Sequence, residues 1–251
     1  MRQFSILLKK DFLELWRTKR VLIVGIIFVV FALSSPLLAK MTPELLKSLG
    51  DGVQIIMPEA TIVESYGQFA SNVAGVCVYA LIVAFGGLIV SERRSGMFNN
   101  LLNNGVKRST FVLSKIATQV LVVTGVYLVS CLLFSIYNQV LFGEFWAKDS
   151  LVSFTAIYVF MIFTISFINL FSVVAKSVVM AIIFGFLMTF LIAIFDLFAF
   201  GKYLPNHLIS LSVSVFNDST AFDYVWKNMA ITLGLSVAIV FAAIGLCRSK
   251  E

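Results

Sequence analysis

The chain has 251 residues, of which 60% are hydrophobic and 13% charged, against about 45–50% apolar and about 25% charged in an ordinary soluble domain. That balance excludes a water-soluble fold. The formal net charge of +6 invites a nucleic-acid reading, but the charges fall in short segments between long charge-free stretches, which makes them topogenic and argues against nucleic acid as a partner.

A bilayer core about 30 Å thick takes roughly 20 helical residues to cross, and only helices or a closed barrel satisfy their backbone there. Period-two alternation is absent, so the expected fold is an all-α membrane protein with six transmembrane helices. The spans are placed at about 21–39, 67–90, 116–137, 152–175, 178–199 and 228–247, all within one domain, 1–251.

Residues 1–20 put Phe4, Leu7, Leu8, Phe12 and Leu15 at helical spacing, with Lys9, Lys10, Asp11, Glu14 and Arg17 mostly opposite. This is an amphipathic interfacial helix: either an elbow along the inner leaflet, with Trp16 at headgroup level, or a simple basic anchor. Basic residues before the apolar run Val21 to Leu33 resemble a signal peptide. Ser34-Ser35-Pro36 makes no clear cleavage site, however, and the run reads as an uncleaved first span.

In the first external loop, 40–66, Thr42-Pro43-Glu44 offers a cap followed by proline at the first helical position, and Gly50 a stop, which predicts a short separate helix over 43–49. The break between the fourth and fifth spans lacks Gly and Pro. A continuous helix over 150–199 would be about 75 Å long, so the chain must turn near Lys176. In the second external loop, 200–227, a 15-residue uncharged run from Tyr203 to Asn217 is too short to span. It is read as a hairpin dipping into the outer leaflet, or as a surface loop carrying one amphipathic helix.

Orientation follows from charge. With the amino terminus inside, 14 of the 19 Lys and Arg residues are cytoplasmic. Only Lys40, Lys47, Lys148, Lys202 and Lys227 are external, as the positive-inside rule requires. Both termini are therefore expected in the cytoplasm. Cys77, Cys131 and Cys247 lie in spans, an odd number that suggests no disulfide framework.

The longest cytoplasmic loop, 91–110, runs from Ser91-Glu92-Arg93-Arg94 to Lys107-Arg108-Ser109. Met97 with Leu101 and Phe98 with Leu102 form two i, i+4 pairs, so a short helix here has an apolar face that lipid does not cover. A groove on a soluble partner is the economical cover, with Arg93, Arg94, Lys107 and Arg108 adding charge complementarity.

At these residues the chain resembles the permease subunits of ATP-binding-cassette (ABC) transporters, the six-helix type-2 ABC permease family. The resemblance covers nearly the whole chain. It rests on Trp16-Arg17-Thr18-Lys19-Arg20 at the end of the elbow, on Glu92…Gly96…Leu101-Leu102…Arg108…Lys115, and on Leu204-Pro205-Asn206-His207. Ser35-Pro36-Leu37-Leu38-Ala39-Lys40 is similar to the subgroup that includes the nitrous-oxide-reductase maturation permease. Met97 departs from a frequent Thr, and Gly105-Val106 from a common proline.

The resemblance implies a coupling helix near 95–103 seated in a separate ATPase subunit. Glu92, Gly96, Met97, Phe98, Leu101, Leu102, Lys107 and Arg108 would carry the coupling, and Phe12, Trp16 and Arg17 the elbow. It also implies a second permease copy or a similar partner, a translocation path between the two, a multi-pass place in a bacterial or archaeal cell membrane, and ATP and Mg bound by the ATPase alone. This chain has no G-x-x-x-x-G-K-[ST] phosphate loop, no cofactor site and no metal site. His207 is its only histidine, so neither a multi-histidine metal site nor Ser-His-Asp chemistry is expected.

Asp196, the one carboxylate inside a span, stands either on a substrate path or at a hydrated helix end. Asn169 stands either on that path or, with Thr164, in helix contacts. The expected function is an ATP-driven exporter of a hydrophobic or amphipathic peptide or drug. The alternative is a gradient-driven secondary transporter or channel, but such proteins usually carry paired carboxylates or broken helices at mid-membrane.

Overall fold

A computed structural model describes residues 2–49, 60–196, 204–217 and 221–249. The regular elements among the described residues are all helices: α1 (Arg2–Arg17), α2 (Arg20–Leu49), α3 (Ile62–Asn72), a π-helical turn (Val73–Cys77), α4 (Val78–Phe85), α5 (Leu88–Arg94), α6 (Met97–Asn103), α7 (Arg108–Phe142), α8 (Ser150–Val174), α9 (Val178–Asp196), α10 (His207–Ser214) and α11 (Ala221–Ser249). Among the described residues, six segments are long and apolar enough to cross a membrane: Arg20–Pro43, Ile62–Arg94, Arg108–Phe142, Ser150–Val174, Val178–Phe195 and Phe222–Cys247.

The helices outrun the charge-free stretches. α7 continues from Arg108 to Phe142, about 52 Å at 1.5 Å per residue, because Lys115 near its start finds buried carboxylates and need not stay in water. The separate helix expected over 43–49 is not formed. α2 runs unbroken from Arg20 to Leu49 with Pro36 and Pro43 inside it, as prolines are tolerated in membrane helices where neighbouring groups re-satisfy the freed backbone. Ser35 and Thr42 each donate to the carbonyl four residues back, Phe31 O and Leu38 O.

Lys19, at φ 58°, makes the sharp turn between α1 and α2. The second span is the most articulated. α3 passes through the π-helical turn into α4, and the helix then breaks at Gly86-Gly87 before α5. Glycine is needed at that break for close approach. A Cβ on Gly87 would lie 2.5 Å from Val178 Cγ1, and one on Gly185 would lie 2.6 Å from Ile82 Cγ2. These contacts hold α9 against α4, where Tyr79 and Phe186 also meet, 5.3 Å between ring centroids.

α8 runs through the middle of the bundle, touching α4, α5, α7, α9, α10 and α11. The main core gathers Phe28 of α2, Tyr66 and Phe69 of α3, Phe134 of α7 and Phe154 of α8. Phe69 stacks on Phe134 at 4.6 Å and Tyr66 meets Phe134 edge-on at 5.0 Å. The uncharged run before the last span folds, within 204–217, into α10. Its Leu208 and Leu211 pack with Val159 of α8 and Met229 of α11, so this helix sits among the spans. Cys77, Cys131 and Cys247 are free thiols.

Candidate functional site

The charged groups of three elements converge at one end of the bundle. Lys115, on α7 and 2% exposed, holds its ammonium 2.6 Å from Glu92 Oε1 on α5, 2.8 Å from Asp11 Oδ1 on α1 and 3.4 Å from Glu14 Oε2. Lys10 donates to the same Glu92 oxygen. Ser114 donates to Asp11 Oδ2 at 3.0 Å. Two buried carboxylates around one buried ammonium, with a second, half-exposed ammonium beside them, bind α1 and the start of the loop after the second span to the foot of α7. The three carboxylates bring ligand atoms within 4.8 Å of one another, but Lys115 already supplies the cation among them.

The amphipathic reading of residues 1–20 needs one correction here. Asp11 does not lie on a solvated polar face. It is 2% exposed, on the same stripe as buried Leu7 and Leu15, because α1 packs along α7 and the stripe at i, i+4 and i+8 faces that helix. Phe12, Trp16 and Arg17 point away from the bundle: Phe12 is 41% and Trp16 63% exposed. One side of α1 lies on protein and an adjacent side carries the large apolar groups that suit an interfacial helix.

Beyond Glu92, the loop expected at 91–110 is built from helices joined by two left-handed glycines. Gly96, at φ 76°, precedes α6 and Gly105, at φ 78°, follows it. Gly105 N–H donates to Leu102 O at 2.9 Å and Val106 N–H to Leu101 O at 3.1 Å, the paired bonds that close a helix around a glycine. A Cβ at Gly105 would touch nothing within 4 Å, so Gly105→Ala should cost only its backbone term, about 1 kcal/mol. A urea or thermal melt of the reconstituted chain measures this.

The apolar face of α6 is not left wholly uncovered. Phe98 packs edge-on against Phe111 at 4.9 Å, and Phe98, Leu101 and Val106 all join a small core with Ile89, Val173 and Ala243. The spacing that exposes an apolar face on an isolated helix cannot show that α5, α7, α8 and α11 converge over it. What α6 presents outward is Met97, Asn99, Asn100 and Asn103, with Leu102 half-buried. Lys10 also reaches Met97, its Nζ 3.7 Å from Sδ.

The flanking cations divide in the same way. Arg94 and Lys107 are exposed. Arg93 is turned inward, donating to Val173 O at 2.7 Å, Ala175 O at 2.6 Å and Ser172 O at 3.5 Å, and so capping the end of α8. Ser172 in turn accepts from Ile89 N–H at 3.2 Å and Val90 N–H at 3.4 Å, at the start of α5. Arg108 donates to Cys247 O at 3.3 Å. Two of the four cations expected to face a partner are therefore engaged with the bundle.

The two candidate path residues fare differently. Asn169 is 1% exposed and bonded both ways to Gln119, 3.1 and 2.7 Å, with a further bond to Ile165 O. Its amide joins α7 to α8, the helix-contact alternative, and faces no opening. Asp196 is the last residue of α9, and its side chain lies outside the described residues. Sequence reasoning placed Lys10 and Asp11 on a polar face and Arg93 toward a partner, and it did not single out Ser172. Asp11 carried a signal, a carboxylate on the otherwise apolar stripe of Leu7 and Leu15.

A search of the curated proteins finds no match. Residues 12–194, from the last six residues of α1 into the fifth span, match the family described as ABC-2 family transporter protein. The match contains Glu14, Glu92 and Lys115 of the charge knot, α6 and the first five spans to within a residue, and on that footing the chain belongs to the ABC-2 transporter family.

Proposed function

We propose that the chain is the membrane-embedded permease subunit of an ATP-driven ABC exporter, paired with a second copy and powered by a separate ATPase that docks on α6. The observation that carries this reading is the buried knot of Asp11, Lys115 and Glu92. A push on α6 reaches the bundle through Glu92 and reaches α1 through Asp11, so elbow and coupling loop move with α7 as one lever. The exposed Met97, Asn99, Asn100 and Asn103, with Arg94 and Lys107 beside them, supply the docking surface. Gly96 and Gly105 set its angle, and Phe98 and Leu101 seat it. ATP and Mg belong to the partner ATPase.

Because Phe98 serves the chain's own core, the docking test uses outward positions. Asn100→Trp with Asn103→Trp should abolish the ATP hydrolysis that copurifies with the tagged chain from its native membranes, while membrane insertion and melting temperature stay unchanged. Copurifying hydrolysis that survives both bulky side chains ends the docking assignment.

A second copy suits α9. Among the six spans it is the least enclosed, with Val179, Ile183, Leu187 and Phe190 all exposed, beside exposed Tyr79 and Val83 of α4. In a chain whose native cysteines are replaced by Ala, Leu187→Cys should give a covalent dimer with a bifunctional maleimide in membranes, and Phe241→Cys on α11 should not. Equal yields at the two sites count against this face.

A groove between two such apolar faces suits hydrophobic or amphipathic cargo, peptide or drug, and the likeness of Ser35 to Lys40 to the nitrous-oxide-reductase maturation subgroup stands beside that reading. With both termini cytoplasmic, α6 and the knot lie on the ATP side. Transport by the purified chain in liposomes without ATPase or ATP would instead establish a gradient-driven carrier.

A further inference from the structure

A cavity of about 570 Å³ lies between α7 and α8, away from α6, the charge knot and the exposed face of α9. Its volume falls within the range of about 300–1,000 Å³ typical of single-ligand sites. Its mouth is framed by Leu128, Leu132 and Leu151, which are 62%, 56% and 62% exposed. It therefore opens sideways from two membrane spans.

The walls define what fits. Tyr158 and Thr124 share a bond of 2.6 Å while Thr124 donates to Val120 O, so the tyrosine hydroxyl is the donor between them. Tyr127 donates to Phe154 O at 2.9 Å, and Trp146 Nε1 to Ser135 at 3.0 Å. The remaining wall hydroxyls are spent on their own helix, Ser135 on Cys131 O and Thr155 on Leu151 O. No hydroxyl or indole N–H of this wall is left for a polar guest, and water would find few of the two to four partners it needs. An occupant without polar groups in that stretch loses nothing.

Length narrows the occupant further. The slot runs along α7 from Ser135, under the Trp146 ring, to Thr124, eleven residues or about 16 Å. That is close to half of a hydrocarbon core about 30 Å thick, the depth of one leaflet. At its upper end Phe145 and Trp146 are exposed on the 143–149 turn, where tryptophan marks the membrane–water boundary. Lys148, exposed on the same turn, has no ion pair among the described residues.

We propose that this cavity is a built-in phospholipid site, in which one acyl chain lies in the α7/α8 slot beneath Trp146 and the phosphate meets Lys148. The lipid fills a gap that the helices leave between them and makes a diacyl phospholipid a stoichiometric component of the subunit.

Native mass spectrometry of the chain released from phosphatidylglycerol nanodiscs tests this. The wild type should keep one phosphatidylglycerol per chain at collision energies that strip the rest. Thr155→Trp, which fills the slot from an exposed wall position, should keep none. Val237→Trp on the lipid-facing side of α11 should keep one, and Lys148→Glu should lower retention several-fold. If Thr155→Trp fails to fold by circular dichroism, Leu132→Trp fills the same slot from α7.

Equal retention in the filled and unfilled chains, or none in the wild type, overturns the proposal. The latter is also the result expected if a second copy or another part of this chain occupies the slot. Added oleate retained in place of phosphatidylglycerol would assign the slot to a free fatty acid and overturn the headgroup contact.

Discussion

Lys115→Met should destabilise the chain by about 3–5 kcal/mol, the usual cost of breaking a buried ion pair by removing one partner, and lower its melting temperature on the order of 10 °C. Lys115 is the only fully buried cation of the knot, with Asp11 and Glu92 at 3% and 4% side-chain exposure around it. Without it, two buried carboxylates face each other with only the half-exposed Lys10 to balance them. The loss comes from stranded charge, not from the pair's own strength. The triple change Lys115→Met, Asp11→Leu, Glu92→Leu should therefore recover most of the stability, since apolar replacements of similar volume often match a buried ion cluster.

Calorimetry of the reconstituted variants separates these outcomes. A single variant that melts with the wild type would mean the three groups are hydrated and do not form a buried knot. ATP-driven transport adds an independent readout. If the knot only holds the fold, the triple variant should transport as its stability allows. If it transmits force between α6 and α1, as proposed, that variant should stay folded and lose coupling.

The second large effect is expected at Arg93. Arg93→Met removes two short charge-assisted hydrogen bonds, to Val173 O and Ala175 O, both on residues with 0% exposure, together with the longer one to Ser172 O. At about 1.5–3 kcal/mol for each bond to a charged donor, the loss should reach about 3–6 kcal/mol. Arg93→Lys should recover only part of it, because a single ammonium cannot present the planar fork that reaches both carbonyls at 2.6–2.7 Å. Favourable interaction of a cation with the carbonyl end of α8 adds to the same sign. Hydrogen exchange should show faster opening of α5 and of the end of α8 together, since Ser172 bonds back to the start of α5. An Arg93→Met chain with unchanged exchange there would contradict the clamp.

Both predictions concern residues whose importance was only half legible. Glu92 and Lys115 stood out through resemblance, but the partner that completes them, Asp11, lies 104 positions before Lys115 in the chain. Hydrophobic patterning placed Asp11 with the polar residues of an interfacial helix. The packing of α1 along α7 reversed that placement. Arg93 and Arg94 are neighbours of the same type, and no local rule separates the one that caps α8 from the one that faces water. Their difference is 100° of helix rotation relative to a helix 80 residues away.

The charge-free lengths, the bias of cations toward alternate loops and the i, i+4 pairs of 97–102 are local properties. Each span must bury its backbone within itself in lipid, so the number of crossings and the class of fold could be read without knowing any contact. Which side chains meet inside the bundle could not. Asn169 meets Gln119, Phe98 meets Phe111, Arg93 meets the end of α8, and an apolar slot stays open between α7 and α8. These follow from how separate helices rotate and cross, and that is set by the fit of side chains far apart in the chain.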